Sequence, residues 1–528
     1  MLELARLADA IRHEGGVTRR LFLAYAASLS ALPVLGRRVL GQSRSVSFLN
    51  DPFSLGVASG DPSDTGVVLW TRLAPRPLEP DGGVPPENIE VAWEVSGDEF
   101  MRKIVRRGTE IASPGLAHSV HAEVSGLDPN RWYWYRFRSS DAESPIGRTR
   151  TLPLQNSSPD KLRFAFASCQ NYEHGFFTAY EHMAQEELDL MIHLGDYIYE
   201  YGGEKGHPRK HLDGETSTLA DYRVRHALYK TDALLQGMHA RCPWIVTWDD
   251  HEVQNNYANE ISEVADLNPA EFLLRRANAY QAYYEHMPLR RSSLPRGPSM
   301  QLYRKLSFGQ LAEFMVLDTR QYRTDQPNSD GTVDINQAAQ SPKATLLGTA
   351  QREWLQASLV ASTATWNVLA QQVMMGMVDI GPGPEHKYWM DEWPGYAFER
   401  EHSLRFIEER HVQNPVVITG DYHANWVNNL RSDDRKSDQP LIATEFVGTS
   451  ISSEGDGARF PEHWQDCLAE NPCVRFFNQE RGYVRCTVTR GSWQCDFRTV
   501  PYVERPGAPV VTRASFLVEA GQPGAQVA

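Results

Sequence analysis

Residues 161–200 read KLRFAFASCQNYEHGFFTAYEHMAQEELDLMIHLGDYIYE. Residues 162–167 predict a strand, 176–187 have helical spacing, and 188–194 form an apolar run suited to a strand buried on both faces. Strand, helix and strand in that order predict a layered α/β or α+β domain with extensive sheet. A long polar and helical stretch follows to Ala240, and further strands are predicted at 244–248, 311–317, 366–370, 416–419 and 442–447. The chain shows no internal repeat and no long low-complexity tract.

Upstream, the character changes. Short alternating runs such as Gly66-Val67-Val68-Leu69-Trp70-Thr71 and Val91-Ala92-Trp93-Glu94-Val95 are separated by turn-rich pieces. Residues 44–155 are therefore expected to form an all-β domain, and SGLDPNRWYWYRFR at 125–138 resembles a late strand of fibronectin type III and immunoglobulin-like sandwiches. Residues 154–160 read as a linker, and 160–528 as the second domain. Residues 1–43 read as an address: Thr18-Arg19-Arg20-Leu21-Phe22-Leu23 resembles the twin-arginine export signal and precedes a short apolar stretch broken by Pro33. That stretch falls short of the roughly 20 apolar residues a spanning helix needs, so no retained transmembrane anchor is expected. The expected location is periplasmic or secreted, with the twin-arginine machinery as export partner.

The chemistry is concentrated where strands end. Four predicted strands run into Ser168-Cys169-Gln170, Gly195-Asp196-Tyr197-Ile198-Tyr199, Asp249-Asp250-His251-Glu252 and Gly420-Asp421-Tyr422-His423. Singly, each has a plain structural reading: a packed Cys or Tyr, an Asp in a turn, a hydrogen-bonded His. Four together, at the carboxyl ends of neighbouring parallel strands along one sheet edge, predict a single cleft. Thiolate, phenolate, imidazole and carboxylate suit a hard, electron-poor ion such as ferric iron better than magnesium. A second position of Asp and Asn oxygens suits a hard divalent ion, calcium among them, with Asp196 placed to bridge. Two adjacent cations and a metal-activated hydroxide predict phosphate ester hydrolysis.

These motifs resemble those of the calcineurin-like metallophosphatases, in the variant form of the PhoD-type alkaline phosphatase and phosphodiesterase family, where a Ser-Cys-Gln segment replaces the usual first aspartate motif. The resemblance extends over Trp248-Asp249-Asp250-His251-Glu252-x-x-Asn255-Asn256, the tract 351–355 and Glu445-Phe446-Val447-Gly448-Thr449-Ser450. It implies a metallophosphatase sandwich behind the immunoglobulin-like domain. It implies Cys169, Tyr199 and His423 on ferric iron (Fe3+), with Asp196 bridging to a calcium (Ca2+) site completed by Asp250, Asn256 and Asp421. His251 is then expected beside the phosphate, stabilising the transition state or protonating the leaving group, with Asp249 or Glu252 orienting its ring. One departure from the family pattern is Trp393-Pro394-Gly395-Tyr396, where a carboxylate is expected; its loss bears on a lid or substrate contact. Arg223 and Arg225 are candidates to assist phosphate binding, or solvated charges on a helix face.

Composition narrows the function classes. The 528 residues carry a formal charge of −14, which argues against a nonspecific grip on nucleic acid. In GYVRCTVTRGSWQCDFRTV, alternation on both sides of Arg490-Gly491 predicts a hairpin with Cys486 opposite Cys495. That pair is either a cross-strand disulfide, with Cys467 and Cys473 as a second candidate pair, or two buried thiols. The expectation is an exported phosphoesterase acting on phosphomonoesters, phosphodiesters or both. The alternatives are a phospholipase D-like diesterase acting on lipid head groups and a non-catalytic secreted metal-binding module.

Overall fold

The computed structural model describes residues 48–528 except 213, 382 and 461–463. The expected twin-arginine segment, residues 1–43, lies outside the described residues.

Two large sheets form the centre. The first has ten strands, with Lys161–Ala167, Leu190–His193 and Trp244–Val246 adjacent and parallel in its middle. The second has seven, with Ala312–Val316, Trp366–Ala370, Pro415–Thr419 and Ala443–Val447 parallel to one another. Both faces of these strands are covered, which explains their nearly continuous apolar runs. In Lys161–Ala167, Phe164 and Phe166 join Phe314, Val368 and Ile418 of the second sheet in one core. Ala165 and Ala167, pointing the other way, meet a separate core containing Tyr180, Tyr229, Met238 and Tyr280 from helices. The second sheet is covered outside by Gly348–Ala361 and Ala397–Glu409. The layers therefore run helix, sheet, sheet, helix.

The strand at 188–194 is shorter than expected, Leu190–His193, and the helix at 176–187 is Thr178–Met183. The 483–500 hairpin forms as expected, Arg481–Thr489 against Ser492–Val500, with Cys486 opposite Cys495. Both cysteines are thiols, their sulfurs 3.3 Å apart. The expected second pair is not formed: the Cys467 thiol faces the Ile380 carbonyl at 3.5 Å and the Cys473 thiol faces that of Met377 at 3.8 Å.

Residues 57–150 are all-β, as expected, with Tyr133, Tyr135 and Phe137 packed on Val67, Leu69 and Val120 between two layers. The unit is not closed on itself. Val57–Gly60, Val67–Arg72 and Ser119–Val124 continue the ten-stranded sheet, joined to it where Gly60 pairs with Trp244. Gly60 permits that junction, because a Cβ there would meet the Pro288 carbonyl oxygen at 2.5 Å.

Candidate metal centre

The four motifs converge, but from two sheets rather than one edge. Three of the strands belong to the ten-stranded sheet and Pro415–Thr419 to the other, and the sheets meet at a parallel bridge between Ser168 and Ser450. The strand order was not legible in separated motifs, so the single-edge expectation is corrected.

Sharp turns at the strand ends aim the side chains inward. Cys169, Asp196, Asn256, Asp421 and His423 all have positive φ, between 48° and 59°. Asp, Asn and His visit this region more readily than other residues, whereas each such position still costs about 1–3 kcal/mol and is typical of functional sites. Glycines allow the motifs to approach. A Cβ on Gly195 would lie 2.5 Å from Asp249 Cβ, and one on Gly420 2.7 Å from Ser168 Cβ.

Among the described residues Asp196 is common to three groups of candidate ligand atoms, one of them Asp196, Asp250 and His251, and the other two mark distinct positions. In the first, ligand atoms of Cys169, Asp196 and His423 lie within 4.8 Å of one another. Tyr199 sits between them, its hydroxyl 2.9 Å from Asp196 Oδ2 and 3.1 Å from His423 Nε2. Ser453 Oγ lies 2.8 Å from both the Tyr199 hydroxyl and the Cys169 carbonyl oxygen, tying the two strand-end loops together. In the second cluster carboxylate oxygens of Asp196, Asp249, Asp250 and Asp421 likewise lie within 4.8 Å of one another.

This second cluster holds more negative charge than the protein neutralises. Arg320 bonds Asp249 and Asp391, the latter at 2.9 Å, and stands 3.7 Å from Asp250. Asp196 Oδ1, Asp249 Oδ2 and Asp250 Oδ1 are buried without a hydrogen-bond partner. Burial, followed by the neighbouring carboxylates, drives the Asp196 carboxyl well above the ordinary range. Burial also works against ionised Asp250, but Arg320, His251 and the Asn256 N–H override it and hold that carboxyl low. Burial, then Asp196 and Asp421, push the Cys169 thiol up. Buried carboxylates with unpaired oxygens, next to a thiol that burial keeps protonated, form a donor set that fits cations.

The imidazole of His251 is held differently from expectation. Its Nδ1 is 2.7 Å from Glu200 Oε2, and its ring stacks on Tyr199 with centroids 4.1 Å apart. Asp249 is committed to Arg320. Glu252 instead accepts the backbone N–H groups of Asp196, Tyr197 and Asp249, at 3.1, 2.5 and 2.8 Å, locking two strand-end loops to each other. Burial raises the Glu252 carboxyl to about 7 against the pull of those three N–H groups.

Asn256 adjoins the cluster through its backbone, which donates to Asp250 Oδ2 at 2.7 Å, while its side-chain nitrogen donates to Asp330 at 3.0 Å. Arg223 and Arg225 take neither predicted role. Arg223 pairs with Glu285 at 2.6 Å, and buried Arg225 donates to the carbonyl oxygens of Tyr201 and Gly214 at 2.8 and 3.0 Å. Trp393–Tyr396 is a buried 3-10 turn in which Trp393 Nε1 donates to Gln371 at 2.7 Å, so it is a packed element rather than an exposed lid. Carboxylates stand immediately before it: Asp391 accepts from Arg320, Arg323 and Gln326, and Glu392 lies against Asp421. Sequence reasoning missed Glu200, Arg320, Glu392 and Glu454. The last was detectable only in space, its carboxylate lying 3.3 Å from His423 Nδ1.

A Cys-Tyr-His set and a carboxylate cluster joined at one aspartate, beside an imidazole held by a glutamate, equip the cleft as the centre of a metal-dependent phosphoesterase. Residues 164–497 match the family model described as PhoD-like phosphatase, and 41–153 match that of the PhoD-like phosphatase N-terminal domain. The chain is 54% identical over 483 residues to alkaline phosphatase D of Bacillus subtilis (strain 168), covering 90% of this chain and 82% of that protein. A solved structure titled "Structure of PhoD" superposes with a TM-score of 0.89 at 53% identity, covering 91% of this chain and 93% of that one. The chain belongs to the PhoD-like phosphatase family and is a phosphoric ester hydrolase.

Proposed function

We propose that the protein hydrolyses phosphomonoesters, phosphodiesters or both at a centre of one ferric ion and one calcium ion. Cys169, Asp196, Tyr199 and His423 would hold iron, and Asp196, Asp250, Asn256 and Asp421 would hold calcium, with the Asn256 backbone N–H also buttressing Asp250. The single observation that carries this reading is the membership of Asp196 in both ligand clusters. The donor chemistry supports the ion types: thiol, phenol and imidazole beside Asp196 on one side, Asp and Asn oxygens on the other. When bound, the cations supply Lewis-acid polarisation of the phosphoryl oxygens and activation of water.

The chain's own residues do the rest. Glu200 fixes the His251 ring through Nδ1, leaving Nε2 to protonate the departing ester oxygen or to hydrogen-bond a phosphoryl oxygen. Asp249, tied to Arg320, positions the strand-end loop that carries Asp250 and His251. Glu252 keeps that loop in register with the Asp196 loop.

The organisation follows the same reading: a twin-arginine signal at 1–43, an immunoglobulin-like unit at 44–155 and the catalytic unit at 160–528. The immunoglobulin-like assignment is supported by the Tyr133 hydroxyl, which accepts the Asp128 backbone N–H at 2.9 Å five residues upstream, in the manner of a tyrosine corner. Export to the periplasm or beyond is supported by Arg19-Arg20 ahead of an apolar run, and no helix among the described residues is long and apolar enough to cross a membrane. Replacing both arginines by lysine is expected to retain the protein in the cytoplasm. Elemental analysis of protein purified without added metal, with turnover of one chromogenic monoester and one diester, tests the chemistry. Iron and calcium with turnover support it; stable protein lacking both, and inert after both are supplied during folding, overturns it.

A further inference from the structure

The amino-terminal edge of the three central parallel strands carries a second concentration of charge, of opposite sign to the catalytic one. A cavity of about 430 Å3 opens there, lined by Arg148, Lys161, Arg163 and Arg241 together with Glu187 and Asp189. Lys161 begins the strand whose far end leads to Cys169, so the cavity lies about 25 Å from the metal centre at roughly 3.3 Å per residue. Arg241 precedes the strand Trp244–Val246 in the same sheet, and Arg148 arrives from the all-β unit, so both parts of the chain contribute cations.

The carboxylates at this edge are already committed. Glu187 pairs with Arg163 at 2.7 Å, and Asp189 bonds Arg150 and accepts the Arg163 backbone N–H at 2.9 Å. Among the described residues no carboxylate lies within ion-pair distance of Arg148, Lys161 or Arg241. Among the described residues Arg241 Nε is buried with no hydrogen-bond partner, and the Arg148 guanidinium carbon lies over the Trp132 ring, 3.5 Å from its centre. Burial, then the repulsion of Arg241, lowers the Arg148 guanidinium below its ordinary range. A chain of net charge −14 has carboxylates to spare, yet leaves these cations crowded and unpaired. A partly buried, unsatisfied cationic donor costs free energy that an oxyanion removes.

We infer that this cavity is a phosphate-binding site, separate from the catalytic centre, in which Arg148 and Arg241 grip a phosphate group. Planar guanidinium forks match phosphate oxygens two at a time, and Lys161 supplies further positive charge at the rim. The volume exceeds that of a lone phosphate ion, so the phosphate is either free or carried by a larger molecule.

Equilibrium dialysis of the metal-loaded full chain with labelled inorganic phosphate tests the assignment. Native protein is expected to bind two equivalents, and the Arg148→Gln, Arg241→Gln double variant one, with unchanged turnover and unchanged competitive inhibition by phosphate. If that variant does not fold, Lys161→Gln is expected to weaken the second equivalent by about tenfold, the loss of one charge-assisted contact. Phosphatidylcholine vesicles with and without phosphatidic acid distinguish the sources: Arg148- and Arg241-dependent capture only by phosphatidic acid assigns the site to a lipid headgroup. Undiminished phosphate and vesicle binding in the variants, or one phosphate equivalent and no vesicle capture by the native protein, overturns the proposal. Loss of turnover in the unaltered protein would instead count against the catalytic reading.

Discussion

Glu200 Oε2 lies 2.7 Å from His251 Nδ1, and Glu200 Oε1 accepts the Asn255 backbone N–H at 2.6 Å. One buried carboxylate thus sets both the imidazole orientation and the loop behind it. Removing its charge in Glu200→Gln is expected to lower kcat by about 10- to 100-fold, the usual cost of losing such a partner, with little change in KM. His251→Ala is expected to lower kcat by roughly 10²–10⁴ while metal content stays intact. Steady-state kinetics with metal analysis checks both; a His251→Ala enzyme that keeps full turnover would remove His251 from the mechanism.

Tyr199 reaches both Asp196 and His423 through its hydroxyl. A tyrosinate on ferric iron gives a visible charge-transfer band, which Tyr199→Phe is expected to abolish or shift. Unchanged colour in the variant would exclude Tyr199 as the ligand.

Glu454 stands to His423 as Glu200 stands to His251, with its carboxylate 3.3 Å from Nδ1 while Nε2 faces Tyr199. Glu454→Gln is expected to weaken iron retention about 10- to 100-fold. Chelator titration followed at the charge-transfer band reads this directly, and an unchanged titration would contradict it.

Lys230 gives the fold an alkaline preference independent of the metals. Buried with no carboxylate partner among the described residues, its ammonium 4.4 Å from the centre of the Trp70 ring, it is pushed down by desolvation to about 7. Between that value and the ordinary lysine range, near 10.5, the unfolded chain binds the proton that the folded chain has lost. Stability therefore rises with pH across this window, by at most about 1.4 kcal/mol per unit from this group. Below about 7 its folded state is charged and the penalty is constant. Denaturant midpoints between pH 7 and 9.5 are expected to climb, and Lys230→Met to raise the midpoint at pH 7 and flatten the slope. Identical slopes in both proteins would rule Lys230 out as the cause.

Cys486 and Cys495 face each other across a hairpin with sulfurs 3.3 Å apart. Protein recovered from an oxidising compartment is expected to be lighter by two hydrogens at this pair, because the geometry already apposes the thiols. Intact-mass measurement and peptide mapping decide it, and alkylation of both cysteines in exported protein would count against it.

The sequence carried the candidate ligand residues because each cluster interrupts an apolar strand with side chains that packing does not call for. Cys169, Asp196, Asp250, Asp421 and His423 were legible in that way. The strand order was not: nothing in the run Val416-Val417-Ile418-Thr419 says which of two buried sheets it joins, since both present covered faces. Glu200 was overlooked although it directly follows Tyr199, because a glutamate after a strand also reads as a solvated turn. Arg320 sits 70 residues from Asp250 and Glu392 29 residues before Asp421, and only the folded chain brings Arg320 to the one and Glu392 to the other. The same holds for the all-β unit, whose alternation was plain but whose continuity with the large sheet rests on one pairing, Gly60 with Trp244.

The central claim is that Asp196 is common to two cation positions. Metal content of three purified variants tests it most directly. Cys169→Ser is expected to lose iron alone, Asp250→Asn calcium alone, and Asp196→Asn both. An Asp196→Asn protein that is folded and retains its full complement of either ion would contradict the shared-aspartate centre.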